Sequence, residues 1–139
     1  MEENLLHPSL SGLDDFALAF GTSLVLLLIF KWLYPLITPH REWQLVREKK
    51  NIAAAIALTG SIVGFSVALS GAATYSASYY DFLIWGAIAL IAQILAYLIV
   101  WLVIPGLSTR IVNQETSAGI LAGGTAVAVG LLNAACMSY

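Results

Sequence analysis

The stretch FLIWGAIALIAQILAYLIVWLVI, Phe82–Ile104, runs 23 residues without a charged side chain. A helix needs roughly 20 apolar residues to cross the hydrocarbon core of a bilayer, whereas a helix packed inside a small soluble protein must show a polar face. This stretch has the length and lacks the face. Three more runs resemble it, Phe16–Ile37, Ile52–Thr74 and Ser117–Met137, with short polar segments between them. Over the whole chain of 139 residues 60% are hydrophobic and 10% charged, against roughly 25% charged in a soluble domain. The expected fold is an all-α integral membrane protein, one domain over 1–139 with four transmembrane helices. The first run is expected to stay as a span, because Glu2, Glu3, Asp14 and Asp15 precede it without a Lys or Arg, the reverse of a signal peptide's basic start.

Four of the six basic residues fall in TPHREWQLVREKKN, Thr38–Asn51. Lys31 near the end of the first span and Arg110 between the third and fourth are the other two, so all six belong to one side of a four-span chain. The other side holds the N-terminal tail, the loop Tyr75–Asp81 and the C-terminus, with five of the eight acids and no Lys or Arg. Short loops rich in Lys and Arg stay cytoplasmic. That rule predicts a membrane protein with both termini facing outward, Asn4 and Cys136 at the outer face and Lys49 at the cytoplasmic face. Thr38 is expected to cap a loop helix with Pro39 at its first position. Trp43, Leu45 and Val46 would then lie in the headgroup layer, with Arg41, Arg47, Lys49 and Lys50 toward anionic lipid or a cytoplasmic protein.

The chain also repeats itself weakly. Asp15-Phe16 returns as Asp81-Phe82, and the ITP ending at Pro39 as the VIP ending at Pro105, both 66 residues on, while Gly60 matches Gly124 at 64. The units run about 14–75 and 80–139, two helical hairpins of the same orientation. Such copies are related by a pseudo-two-fold axis along the membrane normal.

On the second span Ala53, Ala57, Gly60, Gly64, Ala68 and Gly71 fall within an arc of about 80° at 3.6 residues per turn. Gly119, Gly123, Ala126 and Gly130 form a like stripe on the fourth. Small stripes let helix backbones approach closely in lipid, so these two spans are expected to form the inner pair. Polar residues inside the membrane are functional candidates. Thr59, Ser66, Ser70 and Thr74 form a second stripe, either bonded back to their own helix or lining a path between subunits. Gln93 sits near mid-membrane, where it joins helices or lines such a path, and Asn133 shares the face of Gly119, Gly123 and Gly130.

No Asp, Glu, His, Lys or Arg lies deep in a span, so no enzyme, proton relay or voltage sensor is expected. His7 and His40 fall on opposite sides and no metal-ligand set converges. No cofactor and no nucleic-acid partner is indicated. Asp14, Asp15 and Asp81 read as outer-face topology residues, and the single Cys136 as a small residue buried near a helix end. The leading functional expectation is a non-enzymatic, oligomeric scaffold in the lipid bilayer, anchoring a cytoplasmic protein partner through the basic loop. The alternative is a small oligomeric channel or transporter for ions or small solutes.

At TPHREWQLVREKKNIAAAIALTGSIVGF, Thr38–Phe65, and NAACM, Asn133–Met137, the chain resembles the bacterial YjfL-like inner-membrane proteins, the family called domain of unknown function 350. The resemblance extends over essentially the whole chain and implies a four-span inner-membrane protein. It brings no activity and no catalytic residues. Glu115 stands in the second unit where the first has Asn51, so a role for Asn51 is not simply doubled.

Overall fold

The computed structural model describes residues 8–38 and 42–137. After a 3-10 turn at Pro8–Leu10 come α1 (Leu13–Ile37), α2 (Glu42–Arg47), α3 (Ile52–Tyr75), α4 (Tyr79–Val103), α5 (Leu107–Val112) and α6 (Thr116–Cys136), and no strand occurs among the described residues. Four of the helices, α1, α3, α4 and α6, are long and apolar enough to cross a membrane. The six-residue α2 and α5 join them in pairs at one end, here called the basic end.

The small residues decide which spans touch most closely. A Cβ built on Gly119 would lie 2.7 Å from Ala53 Cα, one on Gly130 2.7 Å from Gly64 Cα, and one on Gly71 2.7 Å from Ala134 Cα. Gly60 and Gly123 meet backbone to backbone in the same seam. Lipid tails are as apolar as Leu, so close packing rather than expulsion from water joins spans. The closest approach therefore runs along α3 and α6, where side chains are smallest. Bulkier helices wrap one side of this pair. Phe30 of α1 stacks on Phe65 of α3 with ring centroids 4.8 Å apart, and α4 sends the Gln93 amide to the Ala126 carbonyl of α6 at 3.3 Å. Only Phe30 and Tyr34 of α1 are buried.

Local chemistry sets the helix ends. Asn51 caps α3 by accepting from the Ala54 N–H at 2.9 Å, and Ser78 caps α4 by accepting from Asp81 N–H at 3.2 Å. The Asp81 carboxylate accepts in turn from Ala77 N–H at 2.9 Å, so this acid is committed to a helix start. Gly106 opens α5 at φ +68°, a left-handed conformation that costs an L side chain roughly 1–2 kcal/mol. Lys50 and Gln114 adopt the same region at φ 50° and 60°, each just before the cap residue of a long span.

Three sequence expectations meet a different structure. Thr38 closes α1 instead of opening the loop helix: its N–H and its hydroxyl both return to the Tyr34 carbonyl, at 3.1 and 3.0 Å. Pro39, His40 and Arg41 lie outside the described residues, as do Asn4 and His7, and α2 starts at Glu42. Leu45 points into the bundle rather than into the headgroup layer, because α2 folds back on α3. Cys136 is exposed. Two residues earlier Ala134 faces Gly71, and positions two apart on a helix point to different sides.

Candidate functional site

A six-residue helix has too few hydrogen bonds to hold itself together, so α2 is placed by what its side chains reach. Glu42 is 3% exposed. The Tyr34 hydroxyl of α1 donates to its Oε1 at 3.3 Å, and Tyr34 Oη lies 3.2 Å from Ser61 Oγ of α3. Ser61 donates to the Ala57 carbonyl at 2.9 Å. Tyr97 of α4 packs edge-on against Tyr34, with centroids 5.6 Å apart. A carboxylate removed from water costs several kcal/mol unless hydrogen bonds receive it. Here one receiving group, the Tyr34 hydroxyl, comes from a span, so Glu42 ties α2 to the bundle. Leu45, on the same face, is buried beside it. Lys31 Nζ sits 4.6 Å above the Trp43 ring, a cation–π contact that ties the end of α1 to α2.

The opposite face of α2 and the segment after it carry the free charge. Gln44, Arg47, Glu48, Lys49 and Lys50 are exposed. Gln44 occupies Glu48 by donating to Oε2 at 3.2 Å, and no ion pair joins Arg47, Lys49 or Lys50 to another described residue. Arg110 differs. It grips Glu115 through two bonds, Nε to Oε2 at 2.8 Å and Nη2 to Oε1, which neutralises it locally. The hydrogen bond from Arg110 lowers the Glu115 pKa, and the same bond raises that of Arg110. Asn51 joins the two halves of the basic end: its Nδ2 donates to the carbonyls of Ile111 at 2.8 Å and Val112 at 3.2 Å while its Oδ1 caps α3.

The remaining sequence candidates do not converge on one place. Gly60, Gly64, Gly119, Gly123 and Gly130 line the α3–α6 seam. Gln93 is 2% exposed inside the bundle, with Nε2 on Ala126 and Oε1 buried without a hydrogen-bond partner among the described residues. Tyr97 Oη, one turn along α4, is buried and equally unpartnered. Asn133 is half-buried toward the far end of α6, its Nδ2 also without a partner. Ser66 and Ser70 lie on the exposed face of α3, and Ser66 donates back to the Ile62 carbonyl at 2.8 Å. Among the described residues no three His, Cys, Asp or Glu side chains gather as metal ligands.

The Glu42–Tyr34–Ser61–Tyr97 cluster escaped the sequence reading, which gave Glu42 no role. One signal was available: Glu42 and Leu45, three apart, share a helix face, and Tyr34 and Tyr97 are apolar bodies with polar tips inside spans.

Residues 8–137 match the family described as Domain of Unknown Function (DUF350). The UPF0719 inner membrane protein YjfL of Escherichia coli K12 is 41% identical over 130 residues, covering 94% of this chain and 98% of that protein. The YjfL protein of Escherichia coli O157:H7 matches to the same extent. No solved structure matches. With four apolar spans and a family match that takes in every span, the chain belongs to the DUF350 family and is a multi-pass inner membrane protein.

Proposed function

We propose that this protein is a non-enzymatic, oligomeric membrane anchor whose basic end faces the cytoplasm and receives an acidic protein partner. The observation that carries the reading is the pinned α2: burial of Glu42 and Leu45 on one face fixes Arg47 outward on the other, with Lys49 and Lys50 next to it. A charge array held in place loses less freedom on binding than one on a mobile loop, and Lys and Arg in short loops favour the cytoplasmic side. Crosslinking in native membranes followed by affinity purification tests it. A partner recovered with the parent chain and lost on neutralising Arg41, Arg47, Lys49 and Lys50 is expected. No partner, or one indifferent to the neutralisation, overturns the reading.

The anchor is a single domain of two hairpins, about 14–75 and 80–139, related by a pseudo-two-fold axis along the membrane normal. Support comes from the seam, where Ala53 faces Gly119, Gly60 faces Gly123 and Gly64 faces Gly130, 63 to 66 residues apart and so close to the offset of 64 between Gly60 and Gly124. One departure stands out. In this scheme α1 corresponds to α4, yet α1 lies on the same side of the α3–α6 pair as α4 does, against Phe65 and Ser61. The counterpart position on the other side is unfilled.

A second reading, a small channel or transporter, is favoured by the polar groups inside the bundle, Tyr97 Oη and Gln93 Oε1, which have no hydrogen-bond partner among the described residues. Flux of ions or small solutes through liposomes of the pure protein, abolished by Gln93→Leu, supports it; absence of flux under every gradient removes it.

A further inference from the structure

Glu42 belongs to a loop helix, yet its carboxylate reaches inside the bundle. The Tyr34 hydroxyl that donates to Oε1 at 3.3 Å also stands 3.2 Å from Ser61 Oγ, and Ser61 lies well into α3, roughly 14 Å along its axis from Ile52. An ionisable group at membrane depth is a functional candidate by default, because burying it there is expensive. The polar atoms that the spans bring to it are all oxygens: Tyr34 Oη from α1, Ser61 Oγ from α3 and Tyr97 Oη from α4, on residues 3%, 5% and 6% exposed. Tyr97 Oη has no hydrogen-bond partner among the described residues, and its ring stands edge-on to Tyr34, within electrostatic reach of Glu42. We infer that Glu42, Tyr34, Ser61 and Tyr97 form a binding site for a small monovalent cation of the sodium or potassium class.

The donor set selects the ligand. Hard cations take oxygen donors, whereas softer metals favour thiolate and imidazole. Divalent ions draw on several carboxylates, and Glu42 is the one acid among the buried described residues. A single carboxylate with neutral hydroxyls matches a single positive charge. A buried hydroxyl without a partner calls for an explanation, and a cation beside Glu42 supplies it by taking Tyr97 Oη as a ligand. Access comes from the basic end, where an open cavity of about 550 Å³ is lined by Pro35, Glu42, Trp43, Gln44, Arg47 and Glu48. The charges of Arg47 and Glu48 along it offset one another. Binding requires no transport, so the site goes beyond both functional readings; an ion held there would also steady the docking of α2.

The test uses the purified full chain in detergent, exchanged into choline chloride and titrated with NaCl or KCl at constant ionic strength. A ligand that binds only the folded state raises the unfolding midpoint with its concentration. At least one of the two salts is expected to raise the midpoint saturably and to slow hydrogen exchange in Glu42–Arg47 several-fold. Glu42→Gln is expected to abolish this response and Tyr97→Phe to raise the half-saturating concentration several-fold. Glu48→Gln, on the exposed side of α2, is expected to respond as the parent does. Tyr97→Phe removes no hydrogen bond between described residues, so it carries the test should Glu42→Gln fail to fold. Equal midpoints in choline and in both salts overturn the site. So does a response unchanged in Glu42→Gln or in Tyr97→Phe, or one lost equally in Glu48→Gln, which marks ions acting at the surface.

Discussion

Asn51 Nδ2 lies 2.8 Å from the carbonyl oxygen of Ile111, sixty residues away, and binds the end of α5 to the start of α3. The same side chain caps α3, and the residue is 2% exposed. Asn51→Ala removes the cap of α3 and the bonds to the Ile111 and Val112 carbonyls, a loss of about 1–2 kcal/mol. Asn51→Asp keeps the cap acceptor but sets a buried carboxylate oxygen against the Ile111 and Val112 carbonyls. Thermal unfolding in detergent is expected to rank the parent chain above both variants.

Tyr34→Phe deletes the hydroxyl that reaches Glu42, and the loss of this one hydrogen bond to a buried carboxylate costs about 1 kcal/mol or more. The loss falls on the docking of α2 rather than on the spans. Hydrogen exchange is expected to quicken in Glu42–Arg47 and to stay slow in α3. Because the two groups act together, Tyr34→Phe combined with Glu42→Gln should cost less than the sum of the single changes.

In the seam, Gly64→Val drives a side chain into the Ala126 backbone, whose carbonyl carbon would lie 2.7 Å from the new Cβ. The helices must part, at about 1–3 kcal/mol or more. Gly21→Ala, where a Cβ meets nothing within 4 Å, is the control and is expected to be neutral or slightly stabilising. Unfolding of both variants in the same detergent separates the outcomes.

The spans and the seam were legible because each depends on a local regularity, four long apolar runs and stripes of Gly and Ala at helical spacing. Asn51 was equally visible as a polar residue ahead of an apolar run, but its bond to Ile111 depends on how two distant loops meet. Glu42 was hidden for another reason. In Thr38–Asn51 the charges suggest solvent, and α2 is too short for two hydrophobic positions, Leu45 and Val46, to establish a period.

The Arg110–Glu115 pair predicts a pH effect. The folded-state pKa of Glu115 is lowered, so its contribution is present above the unfolded value, about 4.3, and is lost as pH falls through the lowered one. Unfolding midpoints of the parent chain and Glu115→Gln are expected to differ at neutral pH and to converge only as the pH falls below the lowered folded-state value. High salt should narrow the difference, because both side chains are partly exposed.

The account turns on which side of the membrane the basic end occupies, and thiol labelling of right-side-out spheroplasts reads that directly. In a Cys136→Ala background, Ala77→Cys sits in the exposed turn between α3 and α4, and Lys49→Cys in the exposed link between α2 and α3. A membrane-impermeant reagent is predicted to label Ala77→Cys at once and Lys49→Cys only after the membrane is opened. Labelling of Lys49→Cys in sealed spheroplasts, with Ala77→Cys protected, would put Arg47, Lys49 and Lys50 beyond the reach of any cytoplasmic partner and contradict the anchor.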